Sequence, residues 1–126
     1  MESPCKGRIL VVDDEPLIRE MTREILEACG YAVFEAVDGQ DGLEIFQATP
    51  EGFDLIILDL VMPRLHGFQV MDRILATAPL TRILISSGFS PDTRPELTTP
   101  TATTAFLAKP YRSKELLDHV QRLIGA

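Results

Sequence analysis

The apolar positions of this chain change period repeatedly. "RILVV" at residues 8–12 is a short aliphatic, β-branched run and predicts strand 1. Ile18, Met21, Thr22, Ile25, Leu26 and Cys29 then recur at helical spacing and predict an amphipathic helix, with Pro16 suited to its first turn and Gly30 to its stop. "YAVFEA" reads as strand 2, and "DGQDGLEIFQA" as a short helix with Asp38 as its N-cap. "FDLIILDL", almost continuously apolar, is strand 3, and "MPRLHG" is a loop. Phe68, Met71, Ile74 and Leu75 mark a third helix, "RILIS" is strand 4 and "AFLAK" strand 5. A last helix follows, with Ser113 as N-cap and Leu116, Leu117, Val120, Leu123 and Ile124 on one face. Between strands 4 and 5, residues 90–104 carry three prolines and six threonines, which predicts either a short or distorted fourth helix or a mobile surface loop.

Alternating strands and helices predict an α/β protein, a parallel sheet covered on both faces. Strands 1, 3 and 4 are apolar runs rather than alternating ones, as burial on both faces requires. Right-handed crossovers leave few topologies. In such sheets ligands bind beyond the carboxyl ends of the strands, where the winding reverses.

Composition narrows the class. The 126 residues suit one domain with a real core, and 45% hydrophobic with 25% charged is too apolar for a disordered chain. The net charge of −7, with no Lys/Arg cluster, argues against direct nucleic-acid binding. Cys5 and Cys29 form neither a disulfide framework nor a zinc motif, and Cys29 falls on the apolar stripe. The opening "MESPCKG" lacks signal-peptide character, and no apolar run approaches a membrane span, so the expected setting is cytoplasmic, away from membranes.

The chemistry gathers at one edge. Strand 1 ends in Asp13 and Asp14, strand 3 in Asp59, strand 4 in Ser86 and Ser87, and strand 5 in Lys109, followed by Pro110. Two carboxylates about 4 Å apart repel by roughly 4 kcal/mol at an effective dielectric near 20, so the cluster must protonate, splay or bind a cation. Hard oxygen ligands select magnesium, calcium or manganese, and few carboxylates with room for water favour Mg2+. A phosphoryl oxygen is the natural occupant of the open coordination positions, with Lys109 and a serine hydroxyl on its other oxygens. Asp59, apart from the acidic pair, is either a third metal ligand or a carboxylate nucleophile toward phosphorus.

The segments "ILVVDDEP", "DLIILDLVMPRLHG", "ILISSG" and "FLAKPY" stand in this order, and with them the chain resembles the receiver domains of bacterial two-component response regulators over essentially its whole length. The resemblance implies a flavodoxin-like, doubly wound five-stranded parallel sheet in the order 2-1-3-4-5, with helices on both faces, in one receiver domain over residues 1–126 with its core at about 7–124. It implies that Asp59 accepts a phosphoryl group from a phosphohistidine of a sensor histidine kinase or histidine phosphotransfer domain. Asp14 would bind Mg2+ directly and Asp13 through water, with Asp59 and the backbone carbonyl of Val61 completing the protein ligands; Mn2+ is an alternative ion. Lys109 would pair with the phosphoryl group, and the Lys109–Pro110 peptide would be cis. Ser86 is assigned the switch hydroxyl because it directly ends "RILI", with Ser87 as the small residue after it, and Phe106 the aromatic switch position. Output would use the face of the fourth helix, fifth strand and last helix. Val61 and Gly88 fall where the family tunes phosphoryl lifetime, and neither side chain orients water, which predicts slow self-dephosphorylation. The glycine usual before strand 5 is replaced by "TATTA". His66 is expected to be solvated, without a phosphotransfer role.

This reading makes the protein a signalling module rather than a turnover enzyme, either a stand-alone regulator or a receiver from a hybrid histidine kinase or phosphorelay. An aspartate-nucleophile phosphatase commonly has a second Asp two residues after the nucleophile, where this chain has Val61. A flavin carrier needs N–H donors for a phosphate after strand 1, where "DDEP" would repel it. A receiver used only for docking would be expected to have lost members of the acid and lysine set.

Overall fold

A computed structural model describes residues 6–62, 65–88 and 101–125. The elements in chain order are β1 (Arg8–Val12), α1 (Pro16–Ala28), β2 (Ala32–Ala36), α2 (Gly39–Gln47), β3 (Leu55–Asp59), α3 (Gly67–Thr77), β4 (Ile83–Ser87), β5 (Thr104–Ala108) and α4 (Ser113–Ile124). All strand pairs are parallel, in the order β2-β1-β3-β4-β5. The chain therefore winds outward from β1 to β2, returns to β3 on the other side of β1, and reverses its winding there. The predicted flavodoxin-like topology is the one observed.

Strand alternation divides the core in two. Leu10, Val12, Ile56, Leu58, Ile83 and Ile85 meet Leu43 of α2 and Val70, Met71 and Ile74 of α3. Ile9, Val11, Leu55, Ile57, Leu84, Ala105 and Leu107 meet Leu26 of α1 and Leu116, Val120 and Leu123 of α4. Burial on both faces explains why β1, β3 and β4 read as continuous apolar runs.

Local chemistry sets the helix ends. Pro16 opens α1, and Gly30, at φ 96°, turns the chain out of it. The Asp38 side chain accepts from the Asp41 N–H at 2.8 Å, the predicted N-cap. His66 is exposed, as expected, and also caps α3: its Nδ1 accepts from the Phe68 N–H at 3.2 Å, while Gln69 Oε1 accepts from the His66 N–H at 3.0 Å.

Two expectations need correction. Arg112, not Ser113, is the N-cap residue of α4, because the Glu115 carboxylate accepts the Arg112 N–H at 3.0 Å and fixes the start one residue earlier. Met21 lies on the rim of the α1 stripe and is 39% exposed. The place of the missing glycine is taken by a threonine turn: Thr101 Oγ1 accepts from the Thr104 N–H at 2.9 Å and leads the chain into β5. The predicted fourth helix, apart from its last few residues, lies outside the described residues.

Candidate functional site

The site forms where β1, β3, β4 and β5 end beside the reversal of winding. Asp13 follows β1 directly, its N–H donating to Ala36 O of β2 at 3.2 Å. Asp59 is the last residue of β3. The chain then turns so that Gly67 N–H donates to Leu60 O at 2.8 Å, and a Cβ on Gly67 would lie 2.4 Å from Asp59 O. Only glycine permits the start of α3 to approach the end of β3 this closely. On the other side, Lys109 N–H donates to Ser87 O at 2.8 Å, and the Lys109–Pro110 peptide is cis, as expected.

Asp13, Asp14 and Asp59 each offer a carboxylate oxygen within 4.8 Å of the others. Asp13 and Asp59 are buried, and Asp14 is half-buried. Lys109 closes the cluster, its Nζ 2.8 Å from Asp13 Oδ2, 3.2 Å from Glu15 Oε1 and 3.6 Å from Asp59 Oδ1. Asp13 Oδ1 accepts the Glu15 N–H at 2.9 Å. Above these groups is an open cavity of about 420 Å³, with Ile18, Val61 and Pro110 among its walls.

The electrostatics follow from this crowding. Burial pushes the Asp59 carboxyl up, Asp13 pushes it further, Lys109 opposes and Asp14 adds, leaving it at about 7. Burial alone would lower Lys109, but its hydrogen bond to Asp13 and the charges of Asp13 and Asp59 outweigh that and hold the ammonium above its ordinary value. Nearby, burial raises Tyr111, although its hydrogen bond with Thr22 (2.6 Å) opposes the shift. A cluster of hard oxygens short of positive charge fits a divalent cation such as Mg2+ or Mn2+.

Most of the residues singled out from the sequence meet here, with one adjustment. Ser87, not Ser86, lines the cavity. Ser86 pairs in register with Asp59 inside the sheet, and its buried Oγ has no hydrogen-bond partner. Two adjacent serines are indistinguishable by composition; strand register separates them. Glu15, the N-cap residue of α1, makes no side-chain cap, and its carboxylate reaches Lys109. Phe106 is half-buried against the α2–α3 side of the core, and Val61, 54% exposed, stands at the rim of the cavity.

A doubly wound sheet with an acidic triad and a lysine at its reversal point defines a class of α/β domains whose site lies at the carboxyl ends of the strands. The family model "Response regulator receiver domain" matches residues 9–121, and the chain belongs to that family, the receiving module of two-component signalling. It is 29% identical over 118 residues to chemotaxis protein CheY of Treponema pallidum, covering 93% of this chain and 82% of that protein. It is 29% identical over 116 residues to sensor kinase CckA of Brucella abortus, covering 92% of this chain but 12% of that one. Among solved structures, response regulator TrrA of Thermotoga maritima, in complex with Mg(2+)-BeF, superimposes with a TM-score of 0.79 at 33% identity, covering 92% of this chain and 97% of that one. The chain spans 51% and 50% of two further relatives, a probable transcriptional regulatory protein of Picosynechococcus and response regulator MprA of Mycolicibacterium vanbaalenii. Among the described residues no helix is long and apolar enough to cross a membrane. The family is one of signalling modules rather than classical enzymes.

Proposed function

We propose that Asp59 accepts a phosphoryl group from a phosphohistidine of a sensor histidine kinase or histidine phosphotransfer domain, in the cytoplasm. The observation that carries this is the triad of Asp13, Asp14 and Asp59 closed by Lys109 at the carboxyl edge of the sheet. Asp14, Asp59 and the backbone carbonyl of Val61 would hold Mg2+ or Mn2+, with Asp13 behind them. The bound ion would supply charge neutralisation, so that an anionic carboxylate can meet an anionic phosphoryl group. Asp59 is the nucleophile: its oxygen bonds to phosphorus as the P–N bond breaks, and the donor imidazole leaves with the electron pair. Lys109 exchanges part of its carboxylate pairing for a phosphoryl oxygen, and the Ser87 hydroxyl, at the cavity wall, donates to another.

Phosphorylation then biases an equilibrium between two conformations, read out through Ser87, Phe106 and the face of β5 and α4. The module is phosphorylated once and relays its state rather than turning over a substrate. It does so alone or inside a longer chain, as the match to one-eighth of a sensor kinase suggests. The net charge of −7 supports a protein partner over nucleic acid. The test is intact-mass analysis after incubation with Mg2+ and acetyl phosphate. The wild type gains one phosphoryl group and Asp59→Ala gains none; equal labelling of both would overturn the reading.

A further inference from the structure

Arg19, on α1, takes no part in the chemistry above, yet it is tied to the residue on which that chemistry depends. Its NH1 donates to the backbone carbonyl of Asp13 at 2.7 Å, and its Nε donates to Glu35 Oε1 of β2 at 3.0 Å. The side chain is 14% exposed. The Asp13 carbonyl belongs to the peptide that joins Asp13 to Asp14, so its direction fixes how both carboxylates leave the backbone. That carbonyl lies beyond the end of β1, while the preceding Asp13 N–H is held by Ala36 O. Arg19 thus holds the one peptide between the paired acids, and β2 holds Arg19 through Glu35. Glu35 is also bound by Arg23 one turn further along α1, which steadies the acceptor without touching Asp13.

We propose that Arg19 is a positioning residue for the divalent-cation site: its guanidinium locks the Asp13–Asp14 peptide so that the two carboxylates converge with Asp59. The inference rests on the cation-dependent function proposed above. An arginine suits the role because its planar fork donates in two fixed directions, one to a carboxylate and one to a carbonyl, whereas a lysine is a single point charge. Partners that orient a metal ligand typically change metal affinity by about 10–100-fold when removed.

The experiment is calorimetric titration of the full chain with MgCl2, alongside metal-free thermal melting, for the wild type, Arg19→Met, Arg19→Lys and Arg23→Met. Both Arg19 variants are expected to bind Mg2+ about tenfold or more weakly. Arg23→Met also strips a guanidinium from Glu35 but should keep its affinity within about twofold. A structural role alone would make Mg2+ affinity follow melting temperature across all three variants, and that result would overturn the proposal. Retention of wild-type affinity by either Arg19 variant would overturn it too. Should Arg19→Met fail to fold, Arg19→Lys carries the comparison. In the metal-free protein the amide of Asp14, part of the locked peptide, is expected to shift in the NMR spectrum of Arg19→Lys and stay in place in Arg23→Met. An unmoved Asp14 amide in Arg19→Lys would overturn the proposal. The amide readout also separates the two ideas: a wild type that binds no Mg2+ would defeat the proposed function, while the amide shift still decides whether Arg19 sets the peptide.

Discussion

A carboxyl raised to about 7 beside two other acids links Asp59 to stability as well as to chemistry. An ordinary aspartate titrates near 3.8 when unfolded, so the protonated form favours the fold. That contribution is complete below the unfolded value and is lost as pH rises through about 7. Without metal, Asp59→Asn should therefore melt with the wild type near pH 4 and become more stable than it above pH 7. The gain should be about 1–3 kcal/mol, since one pKa unit is worth about 1.4 kcal/mol and the cavity admits screening water. A variant advantage that shrinks with rising pH would refute the assignment. The two serines make a second residue-scale test. Ser86 Oγ is buried without a partner, so Ser86→Ala should be neutral or slightly stabilising and should leave phosphoryl uptake within about twofold. Ser87→Ala should slow uptake severalfold and blunt the conformational response. The opposite ranking in the intact-mass assay would restore Ser86 to the role the sequence suggested.

Among the elements, the strands were legible because burial on both faces writes an unbroken apolar run, and the helices because their buried stripes repeat at helical spacing. Helix starts were less legible. At α4 the cap is completed by Glu115 reaching back, and at α3 by a histidine, a residue that does not advertise itself as a cap. Met21 satisfied the periodicity of α1 but sits on the rim of the buried stripe, where spacing alone cannot tell inside from edge. The junction between β3 and α3 has the least tolerance. Gly67→Ala would drive a Cβ onto Asp59 O and Leu60 Cα, and should cost about 2–3 kcal/mol in denaturant unfolding while displacing Asp59. Across the sheet, the bond between Thr22 and Tyr111 joins α1 to the segment after Lys109. Thr22→Val leaves a buried phenol unsatisfied and should cost about 1–3 kcal/mol, whereas Thr22→Val with Tyr111→Phe should recover much of that loss. Additive losses would show that the two hydroxyls do not act as a pair.

At the scale of the whole molecule, the ends of β1, β3 and β5 showed where acids and lysine would gather, because that edge follows from parallel winding alone. The strand order itself was carried by the resemblance. Contacts such as Lys109 with Glu15, or Arg19 with the Asp13 carbonyl, were not legible, since they depend on register and side-chain reach between distant segments. With an apolar Val61 at the cavity rim, the phosphorylated chain should lose its phosphoryl group slowly, over minutes to hours in Mg2+ buffer. Decay within seconds in a chase by intact mass would contradict this. The dispersal of the site along the sequence has a further consequence. Its members arrive at positions 13, 59, 87 and 109, in four segments that meet only at the sheet edge. A chain emerging from the ribosome holds Asp13, Asp14 and Asp59 before it holds Lys109, so a half-made domain has an incomplete site. Completion of the site becomes a late event in the folding of this domain, and under the proposed function a kinase that reads Asp59 would also read whether β5 has docked.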